Sequence, residues 1–256
     1  MVFSELKGKV VLIVGGAQGI GAAIRERFIQ EKAVVLDADI QYQLGLTEAE
    51  DGALETKVNV ADEASVKVLV ETIRAEGLIP DVFVDVAGIS TMDFLLESQT
   101  TDFDKVFAIN TRGVYLLCKY IVREMKASGK AGRVILLASQ AGKNGYKGMS
   151  AYVASKHAVL GLTKTLAIEV AADGILVNAV CPGIIETEMK WRERVEGGRL
   201  RGLSAEAIAA EDRSQVPLGR TGQPADVANV VLFLASPLAS YLTGQAINVT
   251  GGMTMH

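Results

Sequence analysis

Cysteine, histidine and long apolar runs are all scarce in this chain, and each scarcity closes off a class of function. The two cysteines, Cys118 and Cys181, stand far apart and no Cys-x-x-Cys occurs. A disulfide framework is therefore not expected, and a reducing, cytoplasmic compartment is. Both read as small buried apolar residues. Only two histidines are present, His157 and His256; this argues against a histidine-rich zinc site, and no metal is expected. No stretch reaches the ~18 uninterrupted apolar residues of a membrane span. Met1 to Val14 carries charge before a short apolar run and reads as a first strand, not a signal peptide. Positive charge is not in excess either: 26 Lys and Arg against 30 Asp and Glu leave a net −4. Such a balance offers no general field for nucleic acid or anionic lipid. A phosphate-bearing ligand has to be held by a local device.

What is present is an alternation. The chain has 256 residues, 49% hydrophobic and 22% charged, which fits one globular domain over residues 1–256. Apolar β-branched runs at Lys9–Val14, Ala33–Leu36, Thr56–Val60, Asp81–Val86, Arg133–Ala138, Leu176–Val180 and Ala246–Val249 read as strands. Segments with helical spacing lie between them, at Ala22–Gln30, Ala64–Ala75, Phe103–Met125, Ser150–Ala172 and Pro224–Ala235. Strand and helix in turn imply an α/β fold, a doubly wound parallel sheet with helices on both faces. One stretch breaks the rhythm: Thr187–Val216 is polar and charged, and its length suggests a lid over a site.

The first strand runs into Gly15-Gly16-Ala17-Gln18-Gly19-Ile20-Gly21, and a helix follows. Glycines let the backbone turn sharply and approach a ligand. The helix start directs free N–H groups and a partial positive charge at that ligand. Together they hold a pyrophosphate without a basic side chain. A dinucleotide site also needs an acidic residue near the end of the second strand to bind ribose hydroxyls. Asp39 fits, and alternation turns Asp37 to the same side. Two carboxylates there repel a 2′-phosphate, so NAD is the expected cofactor.

Tyr152 and Lys156 are four apart at the start of a helix and share a face. An ammonium beside a phenol favours the phenolate and draws its pKa toward neutrality, where the oxygen exchanges protons. Ser139 ends the fifth strand at the carboxyl edge of the sheet, where ligands of such folds bind.

The arrangement resembles the short-chain dehydrogenase/reductase family in its ordinary-length branch. The resemblance runs from Lys9 to Gly252. It rests on the glycine cradle, Asp39, Asn110, Ser139, Tyr152-Val153-Ala154-Ser155-Lys156, Pro182-Gly183-Ile184-Ile185-Glu186-Thr187 and Thr243-Gly244-Gln245 with Gly251-Gly252. It implies a Rossmann-type domain, a small-molecule alcohol or ketone substrate, and a homotetramer with a subunit contact near Ala246–Met255. It also implies roles. Tyr152 is the general acid/base. Lys156 lowers its pKa and binds the nicotinamide ribose. Ser139 polarises the substrate oxygen. Asn110 holds a water linking Lys156 to solvent. Asn59 and Val60 bracket the adenine, Ala87 and Gly88 end the fourth strand at the cofactor, and Pro182, Gly183, Ile185 and Thr187 pack on the nicotinamide.

The chain departs from the family pattern at Val14, where threonine is usual. It departs again at Asp85-Val86-Ala87-Gly88, where Asn-Asn-Ala-Gly is usual. Val14 and Val86 are expected to form an apolar replacement of a polar link. For the substrate, Gln140 and Asn144 are expected to bond a second oxygen, and Trp191 to wall a small pocket. Ser139-Gln140-Ala141-Gly142 resembles the family's diol and polyol dehydrogenases, which points to a small diol, polyol or hydroxyketone. Arg192, Arg194, Arg199 and Arg201 read as a solvated face. The alternatives are a 3-oxoacyl-thioester (acyl carrier protein) reductase, which in this family usually prefers NADPH, and a non-catalytic dinucleotide-binding regulator. The regulator is disfavoured because the Ser-Tyr-Lys set is complete.

Overall fold

A computed structural model of the chain describes residues 3–256. The first strand, β1 (Val10–Val14), is apolar along its whole length because both of its faces are covered. It turns through the glycines into α1 (Gly19–Gln30), and β2 (Val34–Asp39) returns parallel to it, with Val14 opposite Ala38. A small antiparallel pair follows, β3 (Thr47–Glu48) and β4 (Leu54–Lys57). Then α2 (Glu63–Ala75) begins at Asp62, whose carboxylate accepts from the Ala64 N–H. β5 (Val82–Asp85) pairs with β1 on the side away from β2.

Residues 100–127 form one continuous helical run. It comprises α3 (Thr100–Phe107), α4 (Val114–Leu117) and α5 (Arg123–Ala127), joined by π-helical turns at Ala108–Gly113 and Cys118–Val122. β6 (Gly132–Leu137), α6 (Ser150–Val170) and β7 (Ile175–Pro182) complete the second half of the sheet. α7 (Glu188–Arg201), α8 (Ala205–Gln215), α9 (Pro224–Ala235) and β8 (Ala246–Val249) close the chain.

The strands lie in the order β3-β4-β2-β1-β5-β6-β7-β8, parallel except for β3. The order reverses between β1 and β5. A crevice opens at such a point, at the carboxyl ends of the strands. Alternation divides the strand residues between two faces. Leu12, Val14, Phe83, Leu136 and Ala179 pack with α2, the 100–127 helix and α6. Val11, Ile13, Val84, Ile135 and Val180 pack with α1 and α9. Phe28 and Phe83 are fully buried, one in each layer. Each contributes about 1.5–3 kcal/mol by leaving water.

Three elements differ from expectation. The third parallel strand starts at Leu54 and ends at Lys57, and the β3 hairpin went unexpected because Thr47 and Glu48 are exposed and polar. The 100–127 helix carries π-turns that no apolar spacing announces. The polar stretch after Thr187 is two helices. Thr187 caps the first by accepting from Lys190 N–H, Ser204 caps the second by accepting from Ala207 N–H, and Gly202 turns between them at φ +68°. Among the described residues, no helix is long and apolar enough to cross a membrane.

Candidate active site

The glycine turn is tight enough that side chains are excluded from it. A Cβ on Gly21 would lie 2.0 Å from the Gly15 carbonyl oxygen, and one on Gly15, at φ +92°, would lie 2.8 Å from Ala87 N. The turn borders a cleft of about 340 Å³ at the carboxyl edge of the sheet. Gly15, Gln18, Gly19, Ile20 and Gly21 form one wall. Asp39, Asn59 and Val60 stand at one end; Ala87, Gly88, Ser139, Tyr152 and Lys156 line the reacting side. Pro182, Gly183, Ile185 and Thr187 complete the border. This cradle, with a carboxylate at its far end, fits a dinucleotide: its narrowest part admits backbone only, and its acidic end suits hydroxyls.

The two aspartates of β2 do different things. Asp39 borders the cleft, and its carboxylate accepts from Ala17 N–H at 3.2 Å and from Gln41 N–H at 3.0 Å. Asp37 shares its face but lies one step deeper, fully buried beneath the turn, where it accepts from Gly16 N–H at 3.1 Å. It therefore does not add a second carboxylate to the cleft. Burial raises its carboxyl to about 6, against the pull of the Tyr42 hydroxyl and Arg25. Arg25 binds Asp37, Asp51 and Glu55 at once. It is committed to that cluster rather than to a ligand.

On the reacting side, α6 carries Tyr152 and Lys156 on one face, with Nζ 5.8 Å from the centre of the phenol ring. The Tyr152 phenol and Ser139 border the same stretch of the cleft. Lys156 is buried, and its ammonium donates to the Leu137 carbonyl at 2.7 Å. The expected fall of the phenol's pKa toward neutrality is not produced by these groups. Burial pushes Tyr152 up, Glu193 pushes in the same direction, and Ser139 opposes both. Burial pushes Lys156 down while Asp85 opposes it. Asn110, in the first π-turn, does not border the cleft. It clasps the loop after β5, accepting from Ile89 N–H at 2.9 Å and donating to Ile89 O at 2.8 Å and Ser155 Oγ at 3.1 Å.

Three substrate residues expected from the sequence lie elsewhere. Gln140 is buried away from the cleft, where its amide meets Thr254 and Met253. Asn144 donates to Thr254 Oγ1 at 2.9 Å. Both fasten the segment after β8, because the short helical turn after Ser139 (Gln140–Gly142) directs them behind the reacting face. Trp191 is 47% exposed and borders neither cavity, since it lies on the outer side of α7. Arg194 is no solvated residue: it is 2% exposed and binds Glu186 and Asp212. Val14 and Val86 do not form one apolar link. They face opposite layers, and the residue paired with Val14 is Asp85.

Sequence reasoning missed Lys190 and Glu193. They border the main cleft and also a second cavity of about 410 Å³, which Met92, Phe94, Met149, Leu200 and Ile208 help to line. Their i,i+3 spacing and the Thr187 cap were the available signals.

The fold and this site define an oxidoreductase that handles a dinucleotide and an alcohol or ketone group. A family profile described as Enoyl-(Acyl carrier protein) reductase matches residues 15–254. The chain is 39% identical over 257 residues to a 3-oxoacyl-[acyl-carrier-protein] reductase of Thermotoga maritima, covering 98% of this chain and 100% of the other. Against the same-named protein of Vibrio harveyi it is 34% identical over 262 residues, covering 98% and 99%. The solved aldohexose dehydrogenase of Thermoplasma acidophilum superposes with a TM-score of 0.88 at 33% identity, over 98% of this chain and 96% of that one. The sorbitol-6-phosphate 2-dehydrogenase of Erwinia amylovora gives 0.87 at 31%, over 96% and 100%. The chain belongs to the short-chain dehydrogenase/reductase family.

Proposed function

We propose that the protein is an NAD(H)-dependent dehydrogenase of a small diol, polyol or hydroxyketone. The observation that carries the cofactor choice is the pairing of Asp39 in the cleft with Arg25 locked below it. A carboxylate faces the ribose end, and the nearby cation is already neutralised. A 2′-phosphate would meet repulsion without a partner. When bound, the nicotinamide supplies or accepts the hydride.

The protein's own groups do the rest. The N–H groups at the start of α1 hold the pyrophosphate, Asp39 takes the ribose hydroxyls, and Asn59 and Val60 flank the adenine. Pro182, Gly183, Ile185 and Thr187 set the face of the nicotinamide. Ser139 donates to the substrate oxygen. In the reducing direction the protonated Tyr152 gives its proton to the carbonyl oxygen as hydride reaches the carbon. In oxidation the alcohol's proton passes to Tyr152 as hydride leaves. Lys156 holds the nicotinamide ribose, and Asn110 braces the loop after β5 against α6 beside it. The α7–α8 pair forms a lid, and Lys190 and Glu193 offer the polar contacts for an oxygen beside the reacting one.

A second reading, a 3-oxoacyl-thioester reductase, is favoured by the names of the curated relatives. Turnover with a panel of diols, polyols and hydroxyketones, and with 3-oxoacyl thioesters, each with NAD(H) and NADP(H), separates the two. Turnover of hydroxylated substrates with NAD supports the first reading; 3-oxoacyl reduction with NADPH alone overturns it. The same reading makes the protein a cytoplasmic homotetramer that uses the edge strand β8, which sedimentation tests.

A further inference from the structure

The chain departs from the family's pattern beneath its lysine. Asp85 stands where the pattern has an asparagine, so a carboxylate replaces an amide. Strand alternation turns Asp85 toward the same face as Phe83, the layer that α6 covers, and it is 3% exposed. Three relations place it in the neighbourhood of Lys156, with carboxylate and ammonium more than 4.0 Å apart. Ala87 N–H donates to Asp85 Oδ1 at 3.1 Å. At the next residue, Gly88, the Cβ direction ends 3.5 Å from Lys156 Nζ. Across the sheet Asp85 pairs with Leu136, whose neighbour Leu137 accepts the hydrogen bond from Nζ.

We propose that Asp85 is a positioning residue, the buried counter-ion that keeps Lys156 charged and aimed at the ribose end of the cleft. This rests on the roles given above to Tyr152 and Lys156.

The physical case is one of compensation. The Leu137 carbonyl offers the ammonium a dipole, not a charge, and an unpaired buried charge sheds its proton. Burial drives Lys156 toward the neutral amine, and Asp85 is the first influence acting against it. Burial likewise drives Asp85 toward the neutral acid, and Lys156 acts against that. The other ionisable groups around the pair are thiols and the phenol. Cys118, from the 100–127 helix, faces Asp85, and Cys181, from β7, faces Lys156. Tyr152 lies on the same helix as Lys156, Glu193 faces Tyr152 from the lid, and Lys143 faces Cys181. Among these groups, Asp85 is the carboxylate that acts on Lys156.

The test reads pH profiles. In Asp85→Asn the alkaline limb of kcat/KM for alcohol oxidation should move down by about one pH unit, the low end of the effect of a nearby opposite charge. The NADH dissociation constant, followed by fluorescence without substrate, should weaken about tenfold above neutrality. It should meet the wild-type value at the acid end, where Asp85 already holds a proton. Asp85→Glu should return both curves toward wild type. Profiles that superimpose on wild type, or a loss that is uniform at every pH, overturn the proposal.

A reciprocal variant covers the case in which Asp85→Asn fails to fold. Lys156→Met leaves the carboxylate uncompensated, so its melting-temperature deficit should grow from about pH 5 to about pH 8. A deficit that does not change with pH overturns the proposal. The binding and melting measurements need no substrate, so their failure is distinguishable from failure of the dehydrogenase reading.

Discussion

Two arginines sit in separate carboxylate clusters, one under the glycine turn and one under the α7–α8 pair. Arg25 ties Asp37, Asp51 and Glu55 together beneath the glycine turn. Nothing in that cluster is offered to a ligand; it props a stretch of backbone whose N–H groups do the binding. Arg194 ties Glu186, at the end of the Pro182–Thr187 segment, to Asp212 on α8. Its bond, with that of Thr221, holds the Glu186 carboxylate down to about 2. That cluster fixes two helices so that side chains, Lys190 and Glu193, can face the cavity. Under the proposed function the cofactor end is the one to recognise with backbone and the substrate end the one to recognise with side chains. One is narrow by design and the other is open to variation.

The comparison can be tested first at the seam between the two ends. Tyr152→Phe should lower turnover about 10²–10⁴-fold, the usual worth of a general acid/base, while NADH affinity stays within about twofold. Retained turnover would remove the phenol from the reaction. At the cofactor end, Gly21→Ala drives a Cβ into the Gly15 carbonyl oxygen. NADH affinity should fall about 100-fold or more (about 2.7 kcal/mol), as measured by fluorescence titration. An unchanged dissociation constant would mean that the backbone is not the recognising surface.

At the substrate end, Arg194→Ala takes the shared arginine from Glu186 and Asp212, leaving them only Thr221 and Lys190. Stability should fall toward the lower end of about 3–5 kcal/mol, because Glu186 is one-third open to water. Urea unfolding measures this. KM for the alcohol should rise while the NADH dissociation constant holds; equal damage to both would erase the division. Asp39→Ala should shift the NADP(H)/NAD(H) preference about tenfold toward NADP(H), or about 1.4 kcal/mol, and an unmoved ratio would place cofactor choice elsewhere. The smallest effect belongs to Trp191→Ala. With the indole exposed, stability should change by no more than about 0.5 kcal/mol and KM by less than about twofold. A clear rise in KM would return Trp191 to the pocket.

The same division explains what was legible in the sequence. Glycines 15, 19 and 21, Asp39, Ser139, Tyr152 and Lys156 were read in advance and all border one cleft. Their positions follow from strand ends and helix starts, which apolar spacing marks. Gln140, Asn144 and Trp191 were misplaced because side-chain direction in a loop or a polar helix depends on tertiary partners: Thr254 for the first two, and solvent for the third. Asp37 was read on the correct face but at the wrong depth, since alternation gives a side and not a distance from the edge. Arg194 looked like surface because its partners, Glu186 and Asp212, are eight and 18 residues away. A charge run shows no sign of which member folds inward.

The π-turn that carries Asn110 has a consequence for how this region tolerates change. Val106 before it and Val114 after it are both buried although eight residues apart, a step that a regular α-helix would leave about 80° out of line and that the wider turn takes up. Removing one residue there would leave a seven-residue spacing, about 20° out of line in a regular α-helix. The segment therefore carries slack that an ordinary helix lacks, and protein made from a one-residue deletion that spares Asn110 should stay in the soluble fraction.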